Sequence, residues 1–190
     1  METKNRADLD RMRETINKAK VYTQEKGLKR WESRIARYLG RIADYDGKYS
    51  EAILCYKEAI SKVELDPKYE SNRAMAYEYR GFMVVDELRV TDTVVAVESA
   101  LNLYGDYETT KEGRELKTKD YTTWAIWRSA VLINLCSAIL DLGKMDKYSE
   151  RIEEWLVEAE KNFVVPEGVV TWADFGFRKN EIKRVRERLL

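Results

Sequence analysis

The chain has 190 residues with 34 basic and 34 acidic side chains, so its formal charge is zero and no global basic excess favours nucleic acid or an anionic membrane. It contains no histidine, which excludes His-assisted nucleophiles, imidazole proton transfer and histidine metal ligands. A hydrophobic content of 44% excludes a disordered chain, and the presence of only two prolines and nine glycines favours long amphipathic helices.

Apolar residues recur every three or four positions along most of the chain, which is the period of one helix face. The first such stripe is Leu9, Met12, Ile16 and Ala19. A valine-rich stretch over 94–103 could form a strand, but its alanines and glutamate favour a helix. The pattern therefore predicts an all-α fold. Its helices are predicted over residues 5–25, 31–45, 52–63, 68–88, 94–103, 124–142, 148–159 and 171–189.

Turn and cap residues are expected to separate these helices. Thr91 or Asp92 is predicted to cap the fifth helix, and Asp120 the sixth, which is apolar nearly all round and is therefore expected at the centre of the structure. Residues 105–119 are predicted to form a mobile connection, because they combine glycines with a mixed-charge run. The other predicted breaks are Gly27, Asp46-Gly47, Asp66-Pro67, Gly143 and residues 164–170.

The sequence also carries expectations about location and cofactors. Its N-terminal residues are charged from the start, unlike a signal peptide, and its longest apolar stretch is far shorter than the ~20 residues of a membrane span. Cys55 and Cys136 lie in apolar helical runs, where a thiol acts as a small hydrophobe. We therefore expect a cytoplasmic protein without a metal or other cofactor.

Between residues 33 and 67, small and aromatic residues fall at fixed spacings, namely Gly40, Gly47, Ala52, Tyr56 and Ala59. In this register they resemble the tetratricopeptide repeat (TPR). In that family the small residues let two antiparallel helices approach, a glycine turns the chain, and an aromatic residue fills the gap between the helices. Pro67 stands three residues later than the proline that closes the family's repeat.

Two weaker units follow the first one. Residues 74–105 keep its 19-residue spacing between small residues, at Gly81 and Ala100. Residues 129–162 match only in part and form a degenerate unit.

The TPR resemblance implies the overall architecture. It predicts a single TPR-like domain over residues 1–190, built as a right-handed superhelix of antiparallel helix pairs with about eight helices. A capping helix over 171–189 would close the core. An irregular helical bundle also uses glycine and alanine at helix crossings and is the alternative.

The same resemblance implies a ligand-binding groove lined by the first helix of each pair. Three arginines of this groove, Arg34, Arg37 and Arg41, lie with Arg30 on one side of a helix. Their forked donors suit carboxylate or phosphate. The alternative is a solvated helix face paired with Glu25, Glu32 and Asp44. The groove positions are Arg34, Arg37, Arg41, Asp44 and Tyr45 in the first unit, and Met75, Glu78, Phe82, Val85 and Asp86 in the second.

Charge and aromatic residues are unevenly distributed. Residues 1–50 have a net charge of +5, residues 51–177 of −9 and residues 178–190 of +4, which favours contacts of the ends with the middle or between copies. The aromatic residues Trp172, Phe175 and Phe177 precede the last basic segment. They could stack on RNA or lie at a membrane surface, although aromatics at a helix start are more often core residues.

These observations predict a non-catalytic protein-interaction module. It would bind a segment of an unidentified protein or peptide partner in the helical groove, with the arginines selecting an acidic feature. No membrane is expected, nucleic acid is an unfavoured partner, and a homo-oligomer is possible. The alternative function is binding of nucleic acid or another anion by the basic N-terminal helices.

Overall fold

The computed structural model describes residues 6–64, 73–91 and 93–190. Within these residues it is entirely helical, with one short 3-10 helix at Lys29–Trp31 and no strand, so the all-α prediction is confirmed. The nine α-helices are α1 (Arg6–Glu25), α2 (Glu32–Tyr45), α3 (Tyr49–Glu64), α4 (Arg73–Thr91), α5 (Val94–Thr109), α6 (Lys111–Lys119), α7 (Tyr121–Asp141), α8 (Met145–Lys161) and α9 (Gly176–Glu187).

The predicted turns at two glycines are confirmed by the backbone. Gly47 follows α2 with φ of 73°, and Gly143 follows α7 with φ of 66°. This left-handed conformation suits glycine because a Cβ atom is disfavoured there. Pro67, Asp66 and Asp92 lie outside the described residues, so the stop and the cap predicted for them have no structural counterpart here.

The prediction of a mobile connection over 105–119 is wrong. Helix α5 continues to Thr109, and α6 forms immediately after it, because the extended Thr110 accepts a hydrogen bond from the Gly113 N–H at 3.2 Å and caps α6. Glycine and mixed charge there mark a tight helix junction, which explains why the described residues hold one α-helix more than the eight expected.

One threonine and two aspartates are predicted as helix caps, with mixed outcomes. Thr93, rather than Thr91, caps α5, since its hydroxyl accepts from the Ala96 N–H. Asp120 caps α7 as predicted, accepting from the Thr123 N–H at 3.0 Å. The observed cap of α5, Thr93, therefore lies closer to the first helical residue, Val94, than the predicted Thr91 does.

The chain divides into two compact units, Met1–Val90 and Thr91–Leu190, and each is described by itself. In the first unit α1 packs on α2, and α2 pairs with α3. Ala36 of α2, Ala59 of α3 and Tyr79 of α4 belong to one buried apolar cluster that joins three helices. The single repeat domain over 1–190 and its superhelical course stay predictions.

In the second unit α7 is the central helix. It contacts α5, α6, α8 and α9, as its apolar composition predicted. Among the described residues α7 alone is long and apolar enough to cross a membrane by length and composition, but 67% of its most apolar window is buried within the structure. Such burial is what a core helix provides.

The residues that carry the repeat resemblance have distinct environments. Ala52, Tyr56 and Ala59 are fully buried, and Gly40 is buried against Tyr56. Gly47, in contrast, lies exposed in the turn. The other two signature residues, Gly81 and Ala100, are also buried.

Gly40 permits the close approach of α2 and α3. A Cβ atom at this position would lie 2.5 Å from Cε1 of the buried Tyr56 ring, so we expect Gly40→Ala to destabilise the protein by about 1–3 kcal/mol through overpacking. As the control, Gly105→Ala adds a methyl group in the interior of α5 with no atom within 4 Å, and it is expected to be neutral or slightly stabilising. Amide hydrogen exchange measures each variant against wild type, in α3 for Gly40→Ala and in α7 for Gly105→Ala, because the two glycines lie in different units. Equal effects would contradict this role of Gly40.

Candidate binding surface

Aromatic rings alternate with the arginines of α2. The Arg34 guanidinium lies 5.1 Å from the Trp31 ring centroid, at the start of the row. Phe82 of α4 lies between two further guanidinium groups, at 5.4 Å from Arg37 and 4.3 Å from Arg41. We call this set the arginine–aromatic ladder, and its members are Trp31, Arg34, Tyr38, Arg37, Phe82, Arg41 and Tyr45.

The inner arginines of the ladder have carboxylate partners within the same unit. Arg37 Nη2 donates to Glu78 Oε1 at 2.5 Å, which links α2 to α4. Arg41 Nη1 donates to Asp44 Oδ2 at 2.7 Å and its Nη2 donates to the Tyr45 hydroxyl at 2.9 Å. The charges of both arginines are therefore balanced inside the protein.

A second aspartate and a third arginine extend this network into the interior. Arg89 Nη1 donates to Asp86 Oδ1 at 2.8 Å and to Asp44 Oδ1 at 3.3 Å, so one guanidinium lies between two carboxylates. The side chains of Asp44 and Asp86 are 5% and 2% exposed. We call Arg41, Asp44, Asp86 and Arg89 the buried charge cluster.

Burial changes the proton affinity of this cluster. The pKa of Asp86 rises to about 7, because burial disfavours its charge and Asp44 repels it, while Arg89 and Arg41 act in the opposite direction. Burial also raises the pKa of the Tyr56 hydroxyl, which faces the same cluster. Asp86 Oδ2 has no hydrogen-bond partner among the described residues. The negative charge of ionised Asp86 is therefore only partly balanced by Arg89 and Arg41.

The outer end of the ladder is open to solvent. Trp31 and Tyr38 are 38% and 39% exposed, and Arg34 is exposed. Within the described ranges no carboxylate pairs with Arg34. Of the three groove arginines, Arg34 is therefore the one whose charge the described part of the protein leaves for a ligand.

The structure divides the roles of the predicted groove residues. It brings together Arg37, Arg41, Asp44, Tyr45, Glu78, Phe82 and Asp86. Val85, in contrast, is only 2% exposed and Met75 packs against a buried apolar cluster, so the prediction that these two line a groove is wrong. Arg37, Arg41, Asp44 and Glu78 are joined by ion pairs and half-buried or buried, so neither a free ligand site nor a solvated face describes them. Glu32, one of the acids considered as an arginine partner, instead accepts from Lys62 at 2.7 Å.

Two further arginines, Arg30 and Arg89, bear on the predicted groove. The side chain of Arg30 lies outside the described part of the structure. Arg89 was missed by sequence reasoning, although its spacing of three from Asp86 on a helix was a usable signal.

The basic residues of α1 bear on the anion-binding alternative. Arg13 pairs with Asp10 at 2.8 Å and with Asp46 at 2.6 Å. Lys18 pairs with Glu14 at 2.6 Å. Much of the positive charge of this helix is therefore balanced by adjacent carboxylates.

The described residues offer no metal site. Among the described residues no group of three or more His, Cys, Asp or Glu side chains could hold a metal ion, and Cys55 and Cys136 are free thiols. Burial raises the pKa of the Cys136 thiol to about 12.

Comparison of this chain with protein-family models, curated proteins and solved structures finds no match. The TPR resemblance therefore stays a prediction.

Proposed function

We propose that the first unit is a non-catalytic protein-interaction module of TPR-like type, which binds an acidic segment of a partner protein at the outer end of the arginine–aromatic ladder. The contact residues are Trp31, Arg34 and Tyr38. The observation that carries this proposal is the exposed Arg34 guanidinium, held over the Trp31 ring without a carboxylate partner among the described residues.

The chemistry of these side chains supports binding of a carboxylate. Contact with the Trp31 ring at 5.1 Å restricts the Arg34 side chain, so less rotamer freedom is lost when its fork binds an acid. Tryptophan, tyrosine and arginine are the residue types that contribute most to protein interfaces. The two rings would supply apolar contact beside the charge.

The inner part of the ladder supports the proposal by holding the platform rigid. The Arg37–Glu78 ion pair joins α2 to α4, and Phe82 is stacked on the buried Tyr56 with ring centroids 5.7 Å apart. A binding surface on fixed helices loses less entropy on association than one on a loop.

A displayed peptide library tests this function. Peptides selected on the full chain are expected to contain Asp or Glu, and Arg34→Glu is expected to weaken their binding by about tenfold or more, because it replaces attraction with repulsion. The matched control is Arg151→Glu, since the exposed Arg151 lies 4.8 Å from the Trp155 ring in the second unit. That variant should bind as the wild-type chain does.

Two outcomes would contradict the proposal. Selected peptides without acidic residues, or acidic peptides that bind Arg34→Glu as tightly as wild type, would remove Arg34 from recognition. An oligonucleotide that displaces the peptides, with an affinity falling steeply as salt rises, would instead favour the anion-binding alternative.

A further inference from the structure

Arg128 of α7 is a buried cation whose hydrogen bonds go to neutral groups. Only 9% of the residue is exposed. Its Nε donates to the Tyr104 carbonyl oxygen at 3.3 Å, and its Nη1 donates to the side-chain oxygen of Asn162. Glu108 Oε1 lies 3.7 Å from Nη1, which is beyond hydrogen-bond distance. The positive charge of Arg128 is therefore held in place by acceptors that do not neutralise it.

Aromatic rings enclose this cation. The guanidinium carbon of Arg128 lies 3.8 Å from the Tyr104 ring centroid and 5.2 Å from the Trp124 ring centroid. A second cation, the Lys117 ammonium of α6, lies 4.4 Å from the same Trp124 ring. Rings exclude water and attract cations weakly, but they carry no net charge. In such surroundings the attraction of both cations for an anion is stronger than in open water.

One carboxylate serves both cations. Lys117 Nζ donates to the two Glu108 oxygens at 2.8 Å and 3.0 Å, and Oε1 of this acid is also the atom that lies 3.7 Å from Arg128. The Glu108 and Lys117 side chains are 36% and 37% exposed, so the contact lies at the surface. Glu158, a further acid of this region, has a cation of its own in Lys161 at 2.8 Å. A single negative charge thus faces two positive ones.

Arg128 also keeps a donor for a group from outside. Its Nη2 makes no hydrogen bond with the described residues. This atom is not one of the unpaired side-chain atoms that the protein encloses, so it reaches the surface. A guanidinium donates in fixed directions within its plane, and Nη2 can therefore be satisfied only by an acceptor that approaches from solvent.

The orientation of Arg128 is fixed by further hydrogen bonds. Asn162, which is 3% exposed, uses its amide nitrogen to donate to the Tyr104 hydroxyl and to Ser129 Oγ, each at 3.2 Å. The amide oxygen that accepts from Arg128 is thereby held in position. Donors that are oriented before binding lose less entropy when a ligand arrives.

We propose that Arg128 and Lys117 form a binding site for one oxyanion, a carboxylate or phosphate group, and that Glu108 competes with this ligand for the two cations. One ligand oxygen accepts from Arg128 Nη2 and another from Lys117 Nζ, while the Glu108 side chain turns toward solvent. A carboxylate fits this place because that of Glu108 already contacts Lys117 there. Phosphate offers the same acceptor oxygens with more charge.

Titration of the full chain with succinate and, separately, with inorganic phosphate tests the site. The indole N–H of Trp124 is the reporter, because its ring lies beside both cations and its Nε1 donates to the Tyr107 carbonyl at 3.1 Å. At constant ionic strength, we expect at least one probe to shift the nuclear magnetic resonance signal of this N–H with a millimolar dissociation constant. The probe that binds more tightly identifies the oxyanion.

Variants of the two exposed members test the competition. Lys117→Gln is expected to weaken binding of the probe about fivefold or more, and Glu108→Gln is expected to tighten it by a similar factor, because the competing carboxylate is gone. Lys119→Gln and Glu115→Gln are the matched controls. They make the same charge changes at a pair 3.1 Å apart, two residues to either side of Lys117 and therefore on the opposite face of α6. Both controls should bind as wild type does.

Three results would overturn the proposal. The first is a Trp124 signal that neither probe moves at concentrations up to about 100 mM. The second is a Glu108→Gln variant that binds no more tightly than wild type. The third is a pair of controls that change binding as much as the Lys117 and Glu108 variants do, since this would indicate a general effect of charge. Arg128 stays unchanged throughout because it is buried, and amide exchange in α7 verifies that each variant is folded.

Discussion

Arg41→Ala is expected to lower the free energy of unfolding of the first unit by about 3–5 kcal/mol. The substitution removes the charge that pairs with Asp44 at 2.7 Å, and it leaves a carboxylate whose side chain is only 5% exposed. It also removes a guanidinium packed 4.3 Å from the Phe82 ring. Breaking one partner of a buried ion pair costs more than the pair itself contributes, because the remaining charge stays desolvated.

Hydrogen exchange of the α3 amides is the suitable measurement, since the two units can unfold separately and a single melting curve would mix them. Arg34→Ala is the control from the same helix, and we expect it to change stability by less than about 0.5 kcal/mol because Arg34 is exposed. Adding Asp44→Asn to Arg41→Ala should recover part of the loss, since Arg89 alone is left to balance both Asp44 and Asp86 and the amide removes one of these charges. Equal losses for the two arginine variants would contradict the division of the ladder into a structural inner part and an open end.

Asp86→Asn is expected to make the protein more stable than wild type at pH 8, on the order of 3 kcal/mol, and nearly equal to it at pH 4. Burial and the charge of Asp44 raise the pKa of Asp86 in the folded protein to about 7, against an ordinary value of 3.8. An aspartate with a raised folded-state pKa stabilises the fold fully below its unfolded pKa, and this stability is lost as pH rises through the folded pKa. The wild-type chain should therefore lose stability between about pH 4 and pH 7, and the amide variant should not.

The chain contains no histidine, so no imidazole group changes its charge between pH 4 and pH 8 and obscures the titration of Asp86. Stability of both chains is measured by the same amide exchange in α3 from pH 4 to pH 8. Asp120→Asn is the control with the opposite sign, and its stability is measured by amide exchange in α7 because Asp120 lies in the second unit. Hydrogen bonds from Thr123 and Trp172 outweigh partial burial and lower the pKa of Asp120, so its contribution is lost only as pH falls below the ordinary range. A wild-type profile that is flat from pH 4 to pH 8 would contradict the assignment to Asp86.

Local sequence determined most of the helices and some of their ends, whereas α5 continues six residues beyond its predicted end and the last helix begins at Gly176 rather than at residue 171. Gly47 and Gly143 take the left-handed turns that a glycine between two apolar periods predicts. Asp120 caps α7 by accepting a hydrogen bond from the Thr123 N–H. This contact is local, since it lies within four consecutive residues, so the sequence alone can predict it. The junction at Thr110 escaped prediction because mixed charge and glycine occur both in mobile loops and in tight helix corners.

Sequence spacing placed three arginines on one side of α2, but tertiary contacts decided what each of them does. Helical geometry brings Asp44 within reach of Arg41 regardless of the fold. Glu78 and Phe82 come from α4, and only packing of that helix against α2 covers Arg37 and Arg41 while Arg34 stays exposed. Spacing along a helix gives direction around its axis, and it carries no information about which part of that face another helix will cover.

The aromatic residues near the C-terminus show the same limit, because their sequence does not tell which of them other segments will cover. The sequence places Trp172, Phe175 and Phe177 before the last basic segment, and the usual position of such aromatics is the core. That expectation is correct only for Phe175, which is 5% exposed, and wrong for Trp172 and Phe177, which are each 68% exposed. Only the closure of the loop over residues 162–175 on itself, with Phe163 against Phe175 and the backbone fixed by Tyr121 and Thr122, left Trp172 facing water. The sequence by itself determined an all-helical chain, the turns at Gly47 and Gly143, the Asp120 cap and the identity of the charged and aromatic side chains. Tertiary structure decided which of them are buried as pairs and which are exposed, because burial depends on distant segments that no local pattern contains.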